Sequence, residues 1–271
     1  MAKSLTVKVL DKGFVRLVDV MGDDRRIAQA ARVSYGGGTK TVREDAALID
    51  YLMRHRHTSP FEMVEFTFHV KAPIFVTRQW FRHRTASVNE ISARYSVLKD
   101  EFYEPGPAEL RAQSSTNKQV GEGSLPEGAA REAAAQICEA YREVYAAYEK
   151  LLELGVAREL ARSVLPVGIY TEFYWKQDLH NLLHFLKLRL DHHAQEEIRA
   201  YARAVAGFVK KQVPLVWRSF EEHVLEAVTL SASERDAAAK LLDRQEFAEK
   251  LRQAGLSKSR VREALEKVFG R

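Results

Sequence analysis

Apolar and polar residues alternate through Val64-Glu65-Phe66-Thr67-Phe68-His69-Val70, the period of two expected of a strand with one buried face. The pattern turns helical at Pro73, which suits a first helical position and predicts a helix over residues 74–83. Upstream, Leu48, Ile49, Leu52 and Met53 recur at helical spacing behind the capping-box pattern Thr41-Val42-Arg43-Glu44, so a helix is predicted to about Arg54, with Gly36-Gly37-Gly38 as the preceding turn. Downstream, Ile137, Tyr141, Val144, Tyr148 and Leu151 mark one face of a long helix over residues 129–154, ended by Gly155. A shorter helix over residues 157–165 stops before Pro166, and residues 169–175 read as a second buried strand.

Leu179, Leu182, Leu183, Leu186 and Leu190 supply the core face of a helix read as continuous over residues 178–213, and Pro214 separates it from a further helix to about Val228. In the last forty residues, Ser231-Ala232-Ser233-Glu234 is a second capping box and Gly255 divides two short charged helices. Residues 104–128 are rich in Pro, Gly, Ser, Gln and Asn and read as an exposed connection. Helices outnumber strands without alternating regularly with them, so the expected class is α+β, with a domain over residues 1–228 and a charged helical extension over residues 229–271.

Composition narrows the function classes. The 271 residues are 46% hydrophobic and 29% charged, which excludes a disordered chain and supports a sizeable core. No apolar run reaches the roughly 20 residues of a membrane span, and no secretory signal is read at the N-terminus, so a cytoplasmic protein without a membrane partner is expected. A single cysteine, Cys138, excludes an internal disulfide framework and a multi-cysteine zinc site. The formal charge is 42 − 37 = +5, and from Ser231 to Arg271 ten Lys/Arg face seven Asp/Glu, so +3 of it sits in the tail. The remaining body is not basic enough to coat a polyanion, and no nucleic-acid partner is expected; the tail is read as a stabilising accessory.

The most informative stretch runs from Arg78 to Arg94 and sets Arg78, Arg82, Arg84 and Arg94 around one carboxylate, Glu90. Large apolar neighbours (Phe75, Val76, Trp80, Phe81) place this element in the core and predict partly desolvated arginines, short of internal counter-ions. Planar guanidinium forks match phosphate oxygens, so a phosphorylated ligand is expected, with Gln79, Ser87, Asn89 and Ser92 as hydrogen-bonding company. His180 and His184, one turn apart with Asp191 nearby, admit a divalent-metal reading, but neither a zinc-protease nor a ferritin-type ligand pair accompanies them and Lys187 and Arg189 add positive charge, so no metal is assigned.

Arg82-His83-Arg84, seven intervening residues and then Ser92 resemble the RHR-x7-S signature of the flavin-dependent thymidylate synthases, the ThyX family, and the match continues through Tyr95. His57 to Glu62 is similar to the family's His-x-[Ser/Thr]-Pro-Phe-Glu segment, the helix around Arg158 and Arg162 to its nucleotide-phosphate helix, and Asp191 to Gln195 to its Asp-x-His-Ala-Gln segment. The resemblance spans about Leu10 to Val228, and the tail has no counterpart in the family pattern. It implies a ThyX-like fold, a mixed sheet packed with several long helices, and the reductive methylation of dUMP to dTMP with methylenetetrahydrofolate as carbon donor and FAD reduced by NADPH, without a cysteine nucleophile. It implies FAD contacts at Ser59, Arg82, His83, Arg84, Glu90, Asp178, His180 and His184, although Asp178 and His180 replace the Asn and Arg of other members. dUMP contacts carry over to Gln79, Arg82, Glu90, Ser92, Ala93, Arg94, Arg162 and Arg189, with Arg189 as the catalytic group, and the sites are expected where subunits of a homotetramer meet.

Overall fold

A computed structural model of the chain describes residues 5–33, 42–115 and 121–270; the Thr41 capping box and the triple-glycine turn lie outside them. The chain forms two compact units, Met1–Leu225 and Glu226–Arg271. In order, the first contains β1 (Thr6–Val9), β2 (Gly13–Met21), α1 (Asp24–Arg32), α2 (Val42–Arg54), β3 (Glu65–Pro73), α3 (Ile74–Trp80), β4 (Ser87–Glu90), the short β5 (Ala112–Gln113) and β6 (Gly121–Glu122), and α4 (Glu127–Glu153). It continues with α5 (Arg158–Ala161), β7 (Tyr170–Asp178), α6 (Leu179–Arg189), α7 (Glu196–Gln212) and α8 (Pro214–Phe220), and closes on a π-helical turn, Glu221–Leu225. The second unit holds α9 (Ala232–Leu241), α10 (Arg244–Gln253) and α11 (Lys258–Phe269). No helix among the described residues is long and apolar enough to cross a membrane.

The architecture is α+β, built on a sheet of order β1-β2-β3-β7-β4 with every pairing antiparallel. The alternation in β3 does what its period dictates: Phe66, Phe68 and Val70 are fully buried beside Phe173 and Trp175 of β7, while Glu65, Thr67 and His69 line the opposite face with Tyr174 and Lys176. On that open face the rings of His69 and Tyr174 stack at 4.8 Å, and Lys176 pairs with Glu65 at 3.1 Å. The hairpin of β1 and β2 escapes a period-of-two reading because the register shifts between Leu17 and Asp19 and swaps the faces. Its turn demands Gly13, where an added Cβ would come within 1.9 Å of Tyr201 Oη, whose hydroxyl donates to the Lys71 carbonyl at 2.7 Å.

Trp80 is the keystone of the covered face. Its indole packs against Phe173, Trp175, Phe185 and Tyr201, with centroid separations of 5.4, 5.2, 4.9 and 5.8 Å, so α3 is fastened at once to the sheet, α6 and α7. Several predicted boundaries shift. The helix expected over residues 74–83 ends at Trp80 because the chain turns out to form β4, which pairs with β7. The helix read as continuous over residues 178–213 breaks between Arg189 and Glu196, where the Asp191 carboxylate takes the His193 N–H at 2.8 Å and reopens the chain. The tail has three helices rather than two, since Asp243 caps a new one through the N–H groups of Gln245 and Glu246; the Ser231–Glu234 capping box forms as the sequence indicates.

Trp80→Ala is expected to lower unfolding stability by about 3–5 kcal/mol through loss of burial and an unfilled cavity. A urea midpoint equal to that of the unaltered protein would remove the indole from its keystone role.

Candidate active site

α6 ends on Arg189, which lies half-buried against the segment that follows α3. Its Nε donates to His83 Nε2 at 3.1 Å and its Nη2 to the Gln79 carbonyl at 2.9 Å. Both acceptors are uncharged, so they fix the guanidinium without neutralising it. Accepting at Nε2 leaves the His83 proton on Nδ1 and the ring neutral. Burial first, then the positive charge of Arg189 and the proximity of His184, push the His83 pKa down to about 4. Burial also pulls the Arg189 guanidinium below its ordinary value. The His83 ring is held edge-on by His184 and Phe185 of α6, at 5.7 and 5.0 Å, and the Gln79 side chain donates to Gln195 Oε1 at 2.5 Å.

A second cluster forms where residues 92–95 meet α5. Ser92 Oγ accepts the Arg94 N–H at 3.3 Å, Arg94 Nε lies 3.7 Å from Glu159 Oε2, Arg158 Nη1 donates to the Tyr95 carbonyl at 2.8 Å and Arg162 Nε to the Glu159 carbonyl at 3.3 Å. Arg94 and Arg162 are thereby brought together from positions far apart in the chain, with Ala93 buried beneath. Leu160 and Val164 are apolar yet exposed, Leu160 at 64%, and Ala161 is the buried residue, because α5 is a single turn continued by the tighter 3-10 turn Arg162–Val164.

The arginines themselves correct the expectation of desolvation. Arg78, Arg82, Arg84 and Arg94 are exposed, since α3 buries Val76, Thr77 and Trp80, turns Arg78 away from that face and ends before Arg82. Arg78, Arg82 and Arg84 have no ion pair among the described residues. Glu90 pairs with none of them and instead accepts from Thr171 Oγ1 at 2.7 Å across the β4–β7 pairing. The shortage of counter-ions is therefore real, but it lies at the surface.

The remaining predicted contacts are spread over the same unit. Ser59 opens the 3-10 turn Ser59–Met63 and lines a cavity of about 830 Å³ with Arg26, Gln29, Tyr51, His57 and Met63; none of Arg78, Arg82, Arg84 and Arg94 lines it. Asp178 caps α6, accepting from the Asn181 backbone at 3.0 Å and from its side chain at 2.7 Å, with His180 and His184 on successive turns beyond. Among the described residues, Asp191, His192 and His193 bring three ligand-type atoms within 4.8 Å of one another, all exposed, and His180 and His184 are not in that group. Cys138 is half-buried on α4. The residue reading overlooked Glu159, Thr171 and the contact role of Gln195. Only Glu159 carried a local signal, an acid next to Arg158 and three residues before Arg162; the other two act through pairings across the fold.

Comparison with known proteins places these features in context. Residues 16–215 match the family described as Thymidylate synthase complementing protein. A flavin-dependent thymidylate synthase of Thermus thermophilus is 67% identical over 266 residues, covering 98% of this chain and 97% of that protein. That of Treponema denticola is 58% identical over 237 residues, covering 87% and 89%. The crystal structure of a UMP/dUMP methylase from Streptomyces cacaoi bound with 5-Br dUMP superposes with a TM-score of 0.74 at 34% identity, covering 81% of this chain and 99% of that one. The family match ends before the tail, as the motif pattern indicates, while the Thermus alignment is long enough to run through most of residues 229–271.

An unfolded chain protonates His83 near its ordinary 6.5, whereas the folded site holds the ring neutral down to about pH 4. Folding stability from this group is thus complete above about pH 6.5 and declines as pH falls toward 4. A histidine NMR titration should give that low midpoint with the proton on Nδ1; a midpoint near 6.5 would show that His83 does not accept from Arg189.

Proposed function

Since the chain belongs to the flavin-dependent thymidylate synthases, we propose that its synthesis of dTMP is the reductive methylation of dUMP, with methylenetetrahydrofolate as carbon donor and NADPH as the source of electrons for FAD. The observation that carries this reading is the Arg189 guanidinium, aimed by two neutral acceptors and, among the described residues, left without an ion pair.

Arg189 stabilises negative charge on the N3/O2 edge of the uracil ring, because a fixed positive charge favours the ionised form of a neighbouring acid. Electron density then rises at C5, the carbon that accepts the one-carbon unit. The unpaired Arg82, with Arg94 and Arg162, suits the dUMP phosphate, and Gln79, Glu90, Ser92 and Ala93 surround the nucleotide. Ser92 Oγ already accepts a backbone N–H and serves as a binding hydroxyl. Cys138 is half-buried on α4, far in sequence from the arginine motifs, and ring activation by thiolate addition is not part of this mechanism.

The donor set fits FAD. Arg82 and Arg84 present guanidinium forks short of carboxylates, as a pyrophosphate requires; His83 and His184 lie beside Arg189, Asp178 and His180 offer polar groups at the start of α6, Glu90 a carboxylate from β4, and Ser59 a hydroxyl from its cavity. Bound FAD supplies the two-electron reduction that converts the transferred carbon to a methyl group. The separation of the Ser59 cavity from the exposed arginines supports a site completed by a neighbouring chain of a homotetramer. So do the exposed apolar residues Val88, Ile91, Tyr95 and Val97 in the same segment. A single thiol and the nucleotide chemistry suit the cytoplasm.

Arg189→Ala is expected to abolish dTMP formation, by about 10²-fold or more in kcat, while the purified protein stays yellow with flavin absorption near ~450 nm. Turnover retained in that variant would remove Arg189 from the chemistry; a colourless unaltered protein would overturn the flavin assignment. Cys138→Ser should keep full activity, and sedimentation showing a fully active monomer would exclude a shared site.

A further inference from the structure

The unit Glu226–Arg271 contributes nothing to the chemistry above, and its own construction points elsewhere. α10 and α11 are joined by residues 254–257, where Gly255 takes the left-handed conformation at φ +85° and the Ser257 side chain accepts the Arg260 N–H at 3.4 Å to start α11. The two helices close on the buried Ala248 and Val261 and on Phe247 against Phe269, ring centroids 6.1 Å apart, with α9 packed on α11 as a third helix. Two helices joined by a short glycine-containing link and braced by a third share the connectivity of a helix-turn-helix.

Charge is distributed about this turn with a clear bias. From Lys250 to Arg262 there are five cations, Lys250, Arg252, Lys258, Arg260 and Arg262, and no carboxylate; the acids of the two helices lie before and after, at Asp243, Glu246 and Glu249 and at Glu263 and Glu266. Lys250, Arg252 and Lys258 are exposed and make no ion pair among the described residues. No large apolar residue of the stretch is exposed. A protein-binding patch would need such anchors, whereas a polyanion needs only the charges and hydrogen-bonding side chains.

We propose that this basic helix-turn-helix binds double-stranded DNA, with α11 facing the major groove and Lys250, Arg252 and Lys258 on backbone phosphates. Ser257, Ser259 and Arg262 are the hydrogen-bonding side chains at the start of α11, the part of a recognition helix that reaches base edges. This assigns a nucleic-acid partner that whole-chain charge does not reveal, because the cations cluster about one turn while the acids of the tail helices lie to either side.

The test is fluorescence anisotropy of a labelled duplex of about 20 base pairs titrated with the full-length protein between about 50 and about 200 mM salt. Binding should weaken with salt, and the slope of log K against log salt should flatten by about 2.7 in the triple variant Lys250→Gln, Arg252→Gln, Lys258→Gln, about 0.9 per phosphate contact, with dTMP synthesis unchanged. Circular dichroism establishes that the variant keeps its helices; if it does not, Lys258→Gln alone should flatten the slope by about 0.9. Absence of binding at the lower salt, a slope unaltered by the substitutions, or displacement by polyglutamate as effective as by unlabelled duplex would overturn the proposal, the last in favour of an acidic protein surface.

Discussion

Arg189 carries a positive charge into a half-buried position and, among the described residues, hydrogen-bonds only His83 Nε2 and the Gln79 carbonyl, neither of which can cancel it. Orientation is thereby separated from neutralisation: the two bonds set the direction of the guanidinium, and its electrostatic demand remains for a ligand to meet. The neutrality of His83 follows from the same arrangement, since a second positive charge at that distance would be repelled and the ring is already partly shielded from water. A carboxylate in place of either acceptor would aim Arg189 equally well and quench it.

That geometry is inherited from the packing behind it. Trp80 ends α3 and touches Phe185 of α6, so the two segments that supply His83, Gln79 and Arg189 are clamped to one another by an aromatic contact rather than by the polar bonds they display. The polar layer can therefore be left incomplete without loosening the fold. The same economy explains why Arg78, Arg82 and Arg84 stand at the surface beside exposed apolar residues, a combination that a lone chain has no reason to maintain.

The two units divide their electrostatics. In the larger one, Arg158, Arg162 and Arg189 are placed by specific hydrogen bonds; in the smaller one the cations are concentrated around a turn. The first pattern suits one ligand recognised atom by atom, the second a long polyanion recognised by its regular charge spacing.

Local chemistry made much of this legible. The alternation in β3, the capping box at Ser231, the proline and glycine stops and the Arg82-His83-Arg84 signature all depend on neighbours in the chain, and periodicity and motif are physical properties of such neighbours. The β1–β2 hairpin was obscured because one shifted register moves side chains to the other face, and the break after Arg189 because an Asp side chain competes with the helix for a backbone N–H. By itself the sequence determined which residue types crowd together, how many charges lack partners and which family they resemble. Only the tertiary structure decided that Glu90 would answer Thr171 instead of an arginine, that Arg94 and Arg162 would meet, and that Arg189 would be aimed without being neutralised. Those outcomes turn on distances between segments 65 to 110 residues apart, which no local pattern encodes.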